Sequence, residues 1–257
     1  MAPPSRILVE ACVDSVVSAR NAAVGGAERL ELCANLVEGG TTPSIGMMAA
    51  VREAVRIPMF VLIRPRGGDF LYDSDEIRII RRDITEARTL GADGVVIGAL
   101  TQEGRVDAGV TGKLLDAARP MAVTFHRGFD LTRDPNEALE VLVRLGVQRV
   151  LTSGQAPSAL EGIPLLGRLV RQAGNRIEIL AGGGISEENV ARIVEETGVT
   201  EIHLRGSAGE VSGMQFRRPG VFMGKPFEPD EYRHWETSEQ RIRDVVARVN
   251  ARSAPGA

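Results

Sequence analysis

The sequence predicts a single (β/α)8 barrel, the TIM architecture of the α/β class. Three observations predict it. Apolar strand-like runs alternate with helical stretches eight times within 257 residues, the chain length that such a barrel needs. Glycine stops a helix just ahead of every second strand: Gly26-Ala27, Gly91-Ala92, Gly146-Val147 and Gly198-Val199 lie 65, 55 and 52 residues apart, or two βα units each time. Polar side chains gather at one set of strand ends, where barrels of this class build their sites. An open doubly wound sheet has fewer strands and a glycine-rich fingerprint after the first strand, which is absent here. No Pro/Ser-rich linker divides the chain. One domain is therefore expected over residues 1–257, including a long irregular loop at 208–235 and a last helix at 237–250.

Each element has a local reason. Residues 7–13 form an apolar strand, and Asp14 is placed to cap a helix that ends at Gly25-Gly26. Residues 29–33 form the second strand, followed by a Gly-Gly loop and a helix over 44–55. Residues 58–63 are apolar on both faces, as a parallel strand covered on both sides should be. A long helix over 74–90 closes at Gly91. Strand four covers 94–100 and a helix covers 110–118. Strand five, 122–125, runs into His126–Asp130. Asp134 and Pro135 start the next helix with a cap and a first-turn proline. Strand six covers 150–152, with a helix through Ala173 behind it. Strand seven covers 176–180, and Ser186 is expected to cap the helix ending at Gly198. Strand eight covers 201–204. A Thr237/Gln240 capping box is expected to open the last helix, and residues 253–257 read as a frayed tail.

The net charge of −3 and pI near 5.8 supply no basic field for nucleic acid or anionic lipid. No apolar run approaches the roughly 20 residues of a membrane span, and the first residues lack the pattern of a secretion signal. A cytoplasmic location is expected. In such a reducing compartment the two cysteines are expected to be thiols.

Those two cysteines carry the first candidate site. Cys12 and Cys33 stand on consecutive strand ends, each two residues after a glutamate, Glu10 or Glu31. On a strand, residues two apart share a face. Two thiolates suffice for a soft ion such as Cu(I), if their sulfurs approach within about 4–5 Å, given metal–sulfur bonds slightly over 2 Å. They would equally serve as small buried residues filling barrel layers. Two glutamates facing one lumen repel unless one is protonated or a cation lies between them, and Arg64 or Arg127 is the expected cation. Glu10, Glu31 and His126 are the candidates for acid–base catalysis.

An anion site is the second candidate. Gly183 and Gly184 follow strand seven and precede the helix after Ser186, and Ser207 follows strand eight. Barrels bind phosphate at such loops. Tight βα turns want the same glycines. Arg64, Arg66, Arg127, Asp130, Ser153 and His203 complete the expected substrate or anion set. The opposite strand ends are expected to hold nothing comparable.

With these residues in hand, the chain resembles the CutC family of copper homeostasis proteins. VEACVDS, ELCANLVEGGTTPSIG, IRPRGGDF, ADGVVIG, TFHRGFD, LTSGQ and GGGI stand in the family's order between residue 7 and about residue 207. The resemblance implies a TIM barrel and a role in controlling intracellular copper, with Cu(I) bound through Cys12 and Cys33. The alternative is a barrel enzyme of lyase, isomerase or hydrolase type acting on a small phosphorylated or anionic substrate, because mouth arginines suit an anion better than Cu(I). The expected partners are a metal ion or small anionic ligand and further copies of the chain, as a dimer or tetramer.

Overall fold

A computed structural model describes residues 6–216, 218 and 233–250. Eight parallel strands close into a barrel in sequence order: β1 (Leu8–Val13), β2 (Arg29–Leu32), β3 (Met59–Leu62), β4 (Gly94–Ile97), β5 (Ala122–Phe125), β6 (Arg149–Thr152), β7 (Glu178–Gly182) and β8 (Glu201–Leu204). Closure is made by β8 on β1, with Glu10 opposite His203. The helices α1 (Val16–Val24), α2 (Ile45–Ala54), α3 (Ser74–Thr89), α4 (Ala108–Ala118), α5 (Pro135–Leu145), α6 (Ile163–Ala173) and α7 (Val190–Thr197) follow their strands in turn. The expected barrel is therefore present. The four glycines spaced by two βα units all hold positive φ, between 75° and 96°, which only glycine adopts freely.

The strands separate two cores. One face of each strand packs outward against the helices in a continuous apolar shell that contains Phe125, Leu30, Ile97 and Ile202. The other face fills the lumen. There a small apolar cluster, Cys12, Cys33, Phe60, Leu62 and Val96, shares the space with charged residues.

Several helix starts differ from expectation. Ser15, not Asp14, caps α1, with its Oγ accepting the Ser18 N–H at 3.1 Å. Asp73 opens α3 with a full capping box to Glu76, which satisfies two orphan donors reciprocally. α7 begins only at Val190 and has no side-chain cap. Ser186 starts a preceding turn instead, donating its N–H to Asn189 Oδ1 at 2.9 Å, so the helix start lies away from Gly183-Gly184.

Chain after β8 also departs from the expected irregular loop. β9 (Ser207–Val211) and β10 (Arg233–Thr237) form an antiparallel ribbon. The ribbon is tied to α1, because Ser18 Oγ accepts the Thr237 N–H at 3.0 Å. Thr237 is thus a strand residue. Ser238 replaces it at the start of α8 (Glu239–Asn250), its Oγ accepting the Arg241 N–H at 3.4 Å. The middle of the expected loop and the tail at 253–257 lie outside the described residues.

Candidate metal centre and barrel mouth

Side chains at every second position of a strand share a face, so β1 turns both Glu10 and Cys12 into the lumen. β2 does the same with Arg29 and Glu31, and Cys33 lies just beyond its end. β8 adds Glu201 and His203, and β6 adds Arg149. The register sets Cys12 opposite Glu31, which brings both Glu-x-Cys pairs together.

The two sulfurs lie 3.7 Å apart. Cys33 Sγ is also 3.4 Å from Glu31 Oε2. Cys12, Glu31 and Cys33 each present a ligand atom within 4.8 Å of the others. All three are buried, with Cys33 at 1% exposure and Cys12 at 7%. His203 links the two glutamates: Nδ1 is 2.8 Å from Glu10 Oε1 and Nε2 is 3.7 Å from Glu31 Oε2.

The expected cation between the glutamates is corrected by this geometry. Neither Arg64 nor Arg127 fills that place. His203 lies between the two carboxylates, and Arg29 binds Glu10 on its other side. Arg29 also pairs with Glu201, whose Oε2 accepts from Arg149 Nε at 3.0 Å. Both guanidinium groups stack on Phe60, at 5.1 and 5.2 Å from its ring centre. The strand ends opposite the mouth, expected to hold nothing comparable, therefore carry a buried ionic floor. Sequence reasoning missed Arg29, Arg149 and Glu201. The signal was present, because each stands two residues before Glu31, Leu151 or His203 and so shares its face.

This floor sets the protonation of the site. Burial pushes the Glu10 carboxyl up, but the hydrogen bond to His203 and the Arg29 charge outweigh it and hold it at about 2. The hydrogen bond from Cys33 lowers the Cys12 thiol to about 5, against burial and with help from His203. Burial drives the Glu31 carboxyl up to about 8, where the nearby negative charges of Cys12 and Glu10 reinforce it against His203. Burial likewise raises the Cys33 thiol well above its usual range. Burial opposes the charged form of His203, but Glu31, Cys12 and Glu10 raise it well above a normal imidazole. These shifts favour ionised Cys12 and His203 and disfavour ionisation of Glu31 and Cys33.

Above this floor lies a mouth cavity of about 420 Å³, within the range of small-molecule sites. Cys12, Glu31 and His203 reach it from below. Arg64, His126, Arg127, Gly183, Gly184 and Ser207 reach it from the sides, joined by Arg205 and by Arg241, the latter a residue that sequence reasoning did not single out. Arg64 is held in place by backbone: its Nη atoms donate to the carbonyls of Glu38, Gly40 and Gly68 at 2.7–2.9 Å. Arg127 donates from Nε to Asp130 Oδ2 and from Nη2 to Ser153 Oγ, both at 2.8 Å. Asp130 and Ser153 do not line the cavity. Asp130 accepts the Ser153 and Gln155 N–H groups, and so holds the loop after β6 in shape. Arg66 is not among the cavity residues and pairs with Glu76 and Asp69.

His126 is 5% exposed and sits against Phe70, 4.5 Å between ring centres. Burial and the nearby Arg64 charge push its pKa down to about 3. That shift favours the neutral ring near pH 7. Its Nδ1 accepts the Gly128 N–H at 3.0 Å, which places the ring proton on Nε2.

The comparisons with known proteins agree with this architecture. Residues 7–208 match the model of the CutC family. A human protein named copper homeostasis protein cutC homolog is 50% identical over 240 residues, 93% of this chain and 88% of that protein. A CutC family protein of Bacteroides fragilis is 46% identical over 245 residues, 95% of this chain and 98% of its own. The crystal structure of a CutC protein from Streptococcus agalactiae superposes with a TM-score of 0.75 at 37% identity, covering 77% of this chain and 98% of that one. The chain belongs to the CutC family.

Proposed function

We propose that this protein binds Cu(I) at the floor of the barrel mouth and serves copper homeostasis in the cytoplasm. One observation carries the reading: two thiols from neighbouring strands, 3.7 Å apart, with the Glu31 carboxyl beside them. Two soft sulfur donors suit Cu(I). The donor set lacks the four ligands of a structural zinc site. Cys12 lines the cavity, so an ion reaches it from the mouth. The name borne by the human relative supports the same reading.

Cys12 and Cys33 would hold the ion, with Glu31 as the adjacent oxygen donor. Cys12 is poised as a thiolate by Cys33 and His203, and only the thiolate is a metal ligand. His203 holds Glu10 with one ring nitrogen and faces Glu31 with the other, which orients the donor set from behind.

The test is anaerobic titration of Cu(I) against a competing chelator. The Cys12→Ala/Cys33→Ala double variant is expected to lose stoichiometric binding, and Glu31→Gln to weaken it by roughly ten- to a hundred-fold if it supports the site as outer partners usually do. Affinity unchanged in the double variant would remove both residues from the site and sink the proposal.

A further inference from the structure

Two buried donors in the wall of the mouth have no partner. His126 Nε2 and Arg64 Nε both make no hydrogen bond among the described residues. Their residues are 5% and 6% exposed, and both line the cavity. The Gly128 N–H fixes the Nε2 proton on His126, so the orphan atom is a donor and not an acceptor. Phe70 holds the pair together, with the Arg64 guanidinium 5.0 Å from its ring centre and His126 on the same ring. A buried unpaired donor is destabilising, and both residues pack on Phe70 and line the cavity, so an acceptor oxygen entering this wall would satisfy them.

A second group of free donors faces the same cavity. Arg127 uses Nε and Nη2 within the protein, while its Nη1 makes no hydrogen bond among the described residues. A methyl group on Gly183 would lie 3.4 Å from that Nη1, so the guanidinium packs directly over the glycine. Gly183 holds φ +106° and Gly184 φ +69°. Their N–H groups meet no acceptor among the described residues. Arg205 lines the cavity and is paired only loosely, 3.7 Å from Asp14. Successive free amides beside guanidinium groups complement a tetrahedral anion with several oxygens.

We propose that the mouth binds a small phosphate monoester, its phosphoryl group on Gly183, Gly184, Arg127 and Arg205, and a carbonyl or hydroxyl oxygen on His126 Nε2 and Arg64 Nε. None of these residues is a sulfur or carboxylate donor of the copper centre. The two sets of ligand groups therefore differ, although both open on the same cavity.

The probes are inorganic phosphate and glycerol 3-phosphate, titrated by calorimetry at low salt into the full chain. A parallel experiment follows the ring nitrogens of ¹⁵N-labelled histidine. Both compounds are expected to bind saturably, the ester more tightly. Arg205→Gln should weaken both by about tenfold, the usual effect of losing a charged hydrogen bond. His126→Gln should weaken the ester and leave phosphate unchanged. The ester should shift the His126 Nε2 resonance in the wild-type chain, which keeps the test intact if His126→Gln fails to fold. A wild-type chain that binds neither compound, an Arg205→Gln variant that binds phosphate undiminished, or an Nε2 resonance unmoved by the ester each overturns the proposal.

Discussion

Arg29 determines how the lumen holds its charge. It is 3% exposed and bridges Glu10 and Glu201. Removing one partner of a buried pair leaves an uncompensated charge, which costs about 3–5 kcal/mol. Arg29→Met keeps much of the side-chain volume and should lower the free energy of urea unfolding by that amount. Adding Glu201→Gln removes one of the stranded carboxylates and should recover part of the loss. A single variant within about 1 kcal/mol of wild type, where surface pairs fall, would show that Arg149 and His203 compensate both glutamates without Arg29. The same network explains why the two glutamates of the Glu-x-Cys pairs differ. Glu10 has a guanidinium and an imidazolium beside it, whereas Glu31 faces a thiolate and burial with His203 alone.

At the scale of elements, helix caps hold the loops that shape the mouth. Asp73 accepts the Asp75 and Glu76 N–H groups at 2.8 and 2.9 Å, and Glu76 returns a bond to the Asp73 N–H. Glu76 also pairs with Arg66, so one capping box both starts α3 and anchors the 64–70 loop that carries Phe70. Asp73→Ala should destabilise the fold by about 1 kcal/mol, read as a fall of about 2–4 °C in Tm for a chain of this size. Asp73→Asn retains an acceptor and should lose much less. Equal losses in the two variants would mean that the carboxylate charge at the helix start, and not the cap bond, supplies the stability.

The whole molecule brings distant residues into one site by closing the sheet. β8 pairs with β1, and Glu10 meets His203 across 193 residues of chain. Without closure the proposed copper ligands would lose the His203 imidazole beside them and the mouth would lose its Arg205 side. At this scale the chain is also expected to self-associate as a dimer or tetramer. Val211, Met214, Phe216 and Trp235, on and beside the β9–β10 ribbon, are all exposed, and exposed apolar side chains favour association where they form a patch. Light scattering on the eluted protein should give a multiple of the 27.6 kDa chain mass. A monomer mass at micromolar concentration would remove this expectation, and aspartate at Trp235 should shift an oligomer toward monomer if the ribbon mediates it.

The sequence by itself determined the order of strands and helices, the βα turns at Gly26, Gly91, Gly146 and Gly198, and the matched motifs Glu10-x-Cys12 and Glu31-x-Cys33. These features are local: a left-handed turn needs glycine, and a period of two puts a glutamate and a cysteine on one face. Only the tertiary structure decided what those faces meet. Period-two alternation marks Arg29 and Glu31 as sharing a face but does not say that it is the lumen. The parallel strand β2 is buried on both sides, so hydrophobicity gives no contrast between them. Arg64, legible as a mouth cation, proved to be committed to three backbone carbonyls whose positions depend on the folded loops at 38–40 and 68. Arg241, on the last helix, gave no sequence signal, and only the folded barrel brings it to the same cavity as Gly183. The sulfur separation of 3.7 Å likewise follows from register, because Cys12 opposes Glu31, and register is a property of the closed sheet rather than of either strand.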